Sequence, residues 1–151
     1  MIVAVGADHA GFALKSQIVC WLREEGHQVN DLGAFNLDPD DDYPDFAVSV
    51  ARSVSSGQAE KGIVVCGSGV GACITANKIN GIRACLCHDT YSARQGVEHD
   101  GMNVICIGGR IIGIELAKAV LRAFLGACFI PEPRFQRRLD KIMQIEQDGL
   151  T

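Results

Sequence analysis

The sequence predicts an α/β fold: a five-stranded parallel sheet between two layers of helices, as in a Rossmann-like three-layer sandwich. Short segments made almost entirely of apolar residues, such as Ile2–Val5 and Gly62–Val65, alternate along the chain with longer segments of helical periodicity. The apolar segments lack an alternating polar face, which is typical of strands buried on both sides of a parallel sheet. The 151 residues fit a single domain over 1–151.

The individual elements follow from local patterns. The first helix carries an apolar stripe of Leu14, Ile18 and Leu22, and Gly26 ends it. The predicted strands are Ile2–Val5, Gln28–Leu32, Gly62–Val65, Arg83–Cys87 and Asn103–Ile107. The predicted helices are Gly11–Glu25, Pro44–Ser56, Gly71–Ile79, Thr90–Glu98 and Gly113–Leu125, with an extra C-terminal helix over about Pro133–Gln147. We expect the strand order 2-1-3-4-5, which makes the loops after strands one and three neighbours at the switch point.

Composition and charge exclude several classes of function. A net charge of −4 argues against a general nucleic-acid binder. No apolar run approaches the ~20 residues that span a bilayer, and the first residues form a strand rather than a targeting signal, so we predict a cytoplasmic protein. Seven cysteines without a secretory signal do not predict a disulfide framework. Cys85-x-Cys87-His88 lacks a second ligand pair, so the sequence predicts no metal and no cofactor.

The most informative segment is the glycine-rich turn after the third strand. There the apolar run stops at Cys66, and Gly67-Ser-Gly-Val-Gly71 leads into a helix. Backbone N–H groups converge where a strand passes through such a turn into a helix, so we expect the turn to hold an anion. The same environment favours a thiolate over a thiol, which makes Cys66 a candidate base.

Other motifs compete for this turn. A P-loop needs Gly-Lys-Ser/Thr, but Ala72 follows Gly71, and a cysteine phosphatase of the Cys-x5-Arg type needs arginine at position 72. The looser dinucleotide pattern Gly67-x-Gly69-x-x-Ala72 does match, with Asp89 at about the expected distance, so a non-catalytic nucleotide-binding module stays open. A buried structural cysteine and a cysteine-based redox sensor also stay open, although the motif shows no resolving cysteine.

Polar residues elsewhere add candidates. Asp8 and His9 close the first apolar strand, where a pure core role is improbable. His99 lies at the end of the fourth helix. Arg134 and Arg138 are one helical turn apart, and two guanidinium groups on one face suit either a solvated surface or a phosphate clamp.

The acidic loop from Asp38 to Asp45 could hold a hard cation, but it lacks the pattern of a calcium loop. An EF-hand loop needs glycine at its sixth position and glutamate at its twelfth, where this chain has Tyr43 and Ser49. We therefore expect a solvated loop that caps the next helix through Asp45.

Together these segments resemble the type B ribose-5-phosphate isomerases and the related galactose-6-phosphate isomerase subunits. The resemblance runs nearly end to end. The matching segments are Gly6-Ala-Asp-His-Ala-Gly-Phe12, Asp42-Tyr-Pro-Asp45, Cys66-Gly-Ser-Gly-Val-Gly71, Ala76-Asn-Lys78, Gly81-Ile-Arg83, Glu98-His99, Asn103-Val104, Gly108-Gly-Arg110, and the arginines at 134 and 138.

The resemblance implies an aldose–ketose isomerase that works through an enediolate. Such a reaction needs a base that carries a proton between adjacent carbons, and donors that hold the oxyanion. By the resemblance, Cys66 is this base, and His99 opens the furanose ring with the assistance of Asp8. The implied oxyanion donors are the Ser68 hydroxyl and the backbone N–H groups of Gly67, Gly69, Val70 and Gly71. The implied phosphate ligands are His9, Arg110, Arg134 and Arg138, and Tyr43 lines the sugar pocket.

The family builds its site from two chains of a homodimer, and the resemblance carries this expectation over. Cys66 and Asp8 would come from one chain, while His99 and the phosphate arginines would come largely from the other. A tetramer stays open. The family usually has asparagine where this chain has Asp100, so this residue would either orient His99 or turn away from the site. Ribose 5-phosphate is the expected substrate, with allose 6-phosphate and galactose 6-phosphate as alternatives.

Overall fold

The computed structural model describes residues 1–149, so the last two residues of the predicted domain lie outside the described residues. Over residues 1–149 the chain forms five strands and six helices, which follow one another along the chain in the predicted order. The strands are β1 (Ile2–Ala7), β2 (Gln28–Asp31), β3 (Lys61–Cys66), β4 (Ala84–Leu86) and β5 (Val104–Gly108). The helices are α1 (Phe12–Glu24), α2 (Tyr43–Ser55), α3 (Val70–Ala76), α4 (Thr90–Asp100), α5 (Ile114–Gly126) and α6 (Pro133–Asp148).

All strand pairs are parallel, and the strands are ordered β2-β1-β3-β5-β4. The predicted α/β class is confirmed, but the predicted order of the last two strands is wrong. β5 is buried along its whole length, so it occupies an interior place beside β3. β4 is only three residues long and exposes Cys85 and Leu86, which suits an edge strand.

The core forms on both faces of the sheet. On one face, α1, α4 and α5 cover strand side chains such as Ile63, Ile105 and Ile107. On the other face, α2 and α3 cover side chains such as Val64 and Cys106. α6 lies outside these layers against α4, and Phe135 is its one residue classed as buried among those the structure describes. Over residues 1–149, no helix is both long enough and apolar enough to cross a bilayer.

The start of α2 differs from the prediction. The helix begins at Tyr43, and Asp42 occupies the N-cap position without a side-chain hydrogen bond to the helix. Asp45 lies within the first turn rather than before it, so its predicted capping role is wrong. Most of the acidic loop is exposed as expected, but Asp41 is partly buried.

Candidate active site

A cavity of about 400 Å³ opens at the carboxyl ends of β1, β3 and β5. This is the edge of a parallel sheet at which ligands of open α/β folds bind. The residues that line the cavity are Asp8, His9, Ala10, Tyr43, Cys66, Gly67, Ser68, Gly71, Arg110 and Ile111. The structure thus brings together eight of the side chains and loop positions that the sequence singled out, from four separate segments.

Cys66 is the last residue of β3, and its thiol is buried at the base of the glycine-rich turn. The backbone N–H of Gly69 donates to Cys66 Sγ at 3.1 Å. Gly69 has φ +83°, and a Cβ at this position would lie 2.5 Å from Leu86 Cδ1. The turn therefore requires glycine in order to bring this amide to the sulfur.

Two hydrogen bonds join the turn after β5 to the turn after β3. Gly109 N–H donates to the carbonyl of Cys66 at 2.7 Å, and Arg110 N–H donates to the carbonyl of Gly67 at 3.0 Å. These bonds hold Arg110 at the cavity. They depend on β5 lying next to β3, because the predicted order would have placed a whole strand between Arg110 and Cys66.

The turn after β1 contributes a carboxylate and an imidazole. Asp8 is buried, and its Oδ1 accepts the N–H of Gly11 at 3.0 Å, which fixes the entry to α1. Asp41 Oδ1 lies 2.7 Å from His9 Nδ1 and also accepts the backbone N–H of His9 at 2.9 Å. The hydrogen bond with Asp41 is the largest cause that raises the pKa of His9 above its ordinary value of 6.5.

These three residues are also the candidate metal ligands of this site. One donor atom from each of Asp8, His9 and Asp41 lies within 4.8 Å of the others. His9 Nδ1 is already hydrogen-bonded to Asp41 Oδ1, so a cation bound through that nitrogen would have to displace this contact.

Tyr43 enters the cavity from the start of α2, facing the glycine-rich turn. A Cβ at Gly71 would lie 2.5 Å from Tyr43 Cζ and 2.9 Å from its hydroxyl oxygen. Only a residue without a side chain leaves room for the tyrosine ring here. Within the turn, the N–H of Val70 donates to Ser68 Oγ at 3.3 Å, so Ser68 Oγ accepts a bond and its O–H is left as a donor.

The remaining predicted residues lie outside this cavity, on α4 and α6. The His99 ring stacks on Phe135 with centroids 3.9 Å apart, and its Nδ1 lies 2.9 Å from Gln95 Nε2. Arg134 places its guanidinium carbon 4.7 Å from the centre of the Phe135 ring. Arg134 and Arg138 are exposed to solvent. We call His99, Arg134, Arg138 and Phe135 the distal group.

Asp100 faces a second cavity, of about 450 Å³, between the end of α3, β4, α4 and α6. Arg83, Cys85 and Ile142 are among the residues that line it. The contact of His99 Nδ1 with Gln95 leaves that nitrogen engaged without Asp100. This placement favours the second of the two expected roles, in which Asp100 turns away.

Cys73, a thiol outside the cavity, has a lowered pKa. Its hydrogen bond with Cys106 lowers the pKa of Cys73 to about 7. Cys73 lies on α3 and its Sγ contacts the carbonyl oxygen of Ala84 at 3.4 Å. It does not line the 400 Å³ cavity, so Cys66 is the thiol placed for chemistry there.

Sequence reasoning missed two residues. Asp41 belongs to the run of aspartates for which the sequence predicts a solvated loop, and no local signal marks its contact with His9. Phe135 lies between two predicted phosphate ligands on α6, and it packs against both His99 and Arg134. The contacts of Asp41 with His9 and of Phe135 with His99 could not be derived from spacing, because each joins segments far apart in the chain.

Comparison with known proteins agrees with the resemblance. Residues 3–142 match the ribose/galactose isomerase family. Ribose-5-phosphate isomerase B of Escherichia coli is 44% identical over 145 residues, which cover 96% of each chain. D-erythrulose-4-phosphate isomerase of Pectobacterium atrosepticum is 44% identical over 130 residues, which cover 84% of each chain.

A solved structure is similar over almost the whole chain. Ribose-5-phosphate isomerase B of Mycoplasma genitalium, crystallised with bound ribulose 5-phosphate, superposes with a TM-score of 0.90 at 37% identity. The match covers 97% of this chain and 96% of that chain. Sequence, fold and the arrangement of the strand-end loops thus agree, and the chain belongs to the ribose/galactose isomerase family.

Proposed function

We propose that this protein interconverts ribose 5-phosphate and ribulose 5-phosphate through an enediolate. The observation that carries the proposal is the position of Cys66, whose sulfur accepts a backbone N–H inside a cavity that also holds Asp8, His9 and Arg110. A base, an acid and cationic groups within one cavity are what proton transfer on a sugar phosphate requires. Both substrates belong to the non-oxidative pentose phosphate pathway, where we place the enzyme.

In the proposed reaction, the Cys66 thiolate takes the proton from C2 of the open-chain aldose, and negative charge develops on O1 of the resulting enediolate. The hydroxyl proton of O2 passes to O1, and the Cys66 thiol then returns its proton to C1 as C2 becomes the carbonyl carbon of the ketose. Two backbone N–H groups of the glycine-rich turn already donate within the turn: that of Gly69 to Cys66 Sγ and that of Val70 to Ser68 Oγ. The amides of Gly67, Ser68 and Gly71, with the Ser68 hydroxyl, are the proposed donors to the enediolate.

We assign the phosphate to His9 and Arg110 in this cavity, and to Arg134 and Arg138 of a second copy. Within one chain the distal group lies outside the cavity, and its arginines are exposed. A homodimer in which each chain lends its distal group to the other would complete the site. In that arrangement His99 of the second copy opens the furanose ring, assisted by Asp8. We propose that this assembly works in the cytoplasm.

A four-carbon substrate is the second candidate, because one relative that is 44% identical is a D-erythrulose-4-phosphate isomerase. Its chemistry is the same proton transfer on a sugar phosphate, but O4 of the four-carbon aldose carries the phosphate, so no furanose ring forms and His99 would have no ring to open. The two candidates therefore differ in the length of the sugar and in the need for ring opening.

The test measures conversion of ribose 5-phosphate and of D-erythrulose 4-phosphate without added metal or nucleotide. We expect wild type to convert ribose 5-phosphate, and Cys66→Ala to lose about a thousandfold in kcat, the scale of one general base. Cys20→Ala removes an exposed thiol on α1 and should keep full activity.

Each other outcome revises a different part of the proposal. Conversion of the tetrose alone would change the substrate. Activity that survives in folded Cys66→Ala would move the base to Asp8 or His99. A wild type inactive on both sugars would contradict the isomerase.

A further inference from the structure

One carboxylate of the acidic loop is turned inward. The loop folds back on itself through Asp38, whose Oδ1 accepts the N–H of Asp40 at 3.0 Å and whose carbonyl accepts the N–H of Asp41 at 3.2 Å. This turn leaves the side chain of Asp41 only 11% exposed, while those of Asp40 and Asp42 face solvent. The loop therefore presents Asp41 to His9 rather than to water.

All the hydrogen bonds of this carboxylate within residues 1–149 go to His9. Oδ1 accepts the backbone N–H of His9 at 2.9 Å and lies 2.7 Å from its ring Nδ1. Oδ2 is buried and has no hydrogen-bond partner in the described part of the chain. A carboxylate can only accept at this contact, so Nδ1 must carry the proton.

We propose that Asp41 is a positioning residue that fixes the His9 ring through Nδ1 and thereby leaves Nε2 as the nitrogen that meets the phosphate of the substrate. The proposal rests on the proposed function for the assignment of His9 to the phosphate. It gives the acidic loop a role in binding an anion, which its net charge would not suggest.

His9 lines the cavity together with Arg110, the other cationic side chain of this cavity that is assigned to the phosphate. Asp41 is not among the residues that line the cavity, so its effect on a bound anion has to pass through the ring of His9.

The experiment uses inorganic phosphate as the probe and Asp41→Asn as the main variant. Asparagine removes the charge, and its amide can donate as well as accept, so it no longer forces the proton onto Nδ1. Asp40→Asn is the matched control, because it removes the same charge from an exposed side chain of the same loop. His9→Gln provides a background in which Asp41 has no ring to act on. The readouts are the dissociation constant of phosphate and the NMR shifts of the two ring nitrogens of His9, which report the nitrogen that carries the proton.

We expect Asp41→Asn to weaken the preference of the His9 proton for Nδ1 and to weaken phosphate binding about tenfold, as expected for one charge-assisted hydrogen bond. The substitution should have no effect in the His9→Gln background. Asp40→Asn should behave as wild type.

Three results would overturn the proposal: equal phosphate affinity in Asp41→Asn and Asp40→Asn, an effect of Asp41→Asn that persists in His9→Gln, or a wild type that does not bind phosphate. None of these readouts depends on turnover. A failure of the isomerase assay and a failure of this inference can therefore be told apart.

Discussion

The cavity around Cys66 and the distal group differ in how the chain holds them. In the cavity, backbone hydrogen bonds tie the turns after β3 and β5 together, and Asp8 fixes the turn after β1. The distal group lies on the surfaces of two helices, where Phe135 is the common packing partner of His99 and Arg134. One part is built by the sheet, and the other is held mainly by side chains.

This difference explains why one chain contains an almost complete cavity and a separate set of cations. Parallel strands bring their carboxyl ends to one edge of the sheet, so the sheet alone brings residues on several loops together. A helix surface has no such edge, and exposed arginines on it reach a ligand only where another surface supplies the other half of the site. The most direct test of this difference is to damage the cavity in one variant and the distal group in another.

The largest expected effect is recovery of activity from two inactive variants. Cys66→Ala damages only the cavity, and His99→Asn damages only the distal group. If sites are shared in a dimer, random mixing of the two variants should leave one intact site in each mixed dimer, which is about a quarter of wild-type activity. Co-refolding followed by the ribose 5-phosphate assay measures this recovery.

A matched control uses two variants of the same part. His99→Asn mixed with Arg138→Met should recover nothing, because every site in the mixed dimer then receives one damaged distal group. Native mass spectrometry checks that mixed dimers form. If Cys66→Ala and His99→Asn form mixed dimers but recover no activity, the distal group does not act across chains.

A smaller effect should follow from a substitution that crowds the cavity around Cys66 and leaves the distal group unchanged. In Gly71→Ala the new methyl group meets the Tyr43 ring at 2.5 Å, so the ring must move out of its place. We expect kcat/KM to fall about tenfold or more, since displacement of a positioning group by about 1 Å has such effects. The melting temperature should change little, because a ring near the surface can swing aside.

The control for this prediction is Gly113→Ala, where a Cβ would meet no atom within 4 Å. It should keep wild-type kcat/KM. An unchanged kcat/KM in Gly71→Ala would show that the position of Tyr43 does not matter, and a large drop in melting temperature would show a packing defect instead.

The same contrast shows what the sequence could predict. Apolar runs and helical stripes predicted the parallel α/β fold, and the turn at Cys66 was recognisable because strand, glycines and helix are contiguous. Periodicity does not say which strands are neighbours, so the order of β4 and β5 was wrong. The correct order matters for the site, because it places Arg110 beside Cys66.

Contacts between distant segments could not be predicted from the sequence either. Asp41 and His9 are 32 residues apart, and a run of aspartates is usually a solvated loop. Only the inward turn of the loop distinguishes Asp41 from its neighbours. The roles assigned to the cavity and distal residues stay predictions until the variants above are measured.

The smallest expected effect concerns the packing of the distal group. Phe135 is buried between the His99 ring, 3.9 Å away, and the guanidinium of Arg134. Phe135→Leu keeps an apolar side chain but removes the ring, so the unfolding free energy should fall by about 1 kcal/mol, the scale of an aromatic pair. Because His99 and Arg134 lose a shared support, kcat should fall severalfold while the cavity stays intact. Urea denaturation and the isomerase assay measure the two effects, with Met143→Leu on the same helix as the control. A variant that loses stability but keeps kcat would show that His99 is positioned by its second contact, Gln95, rather than by the ring beneath it.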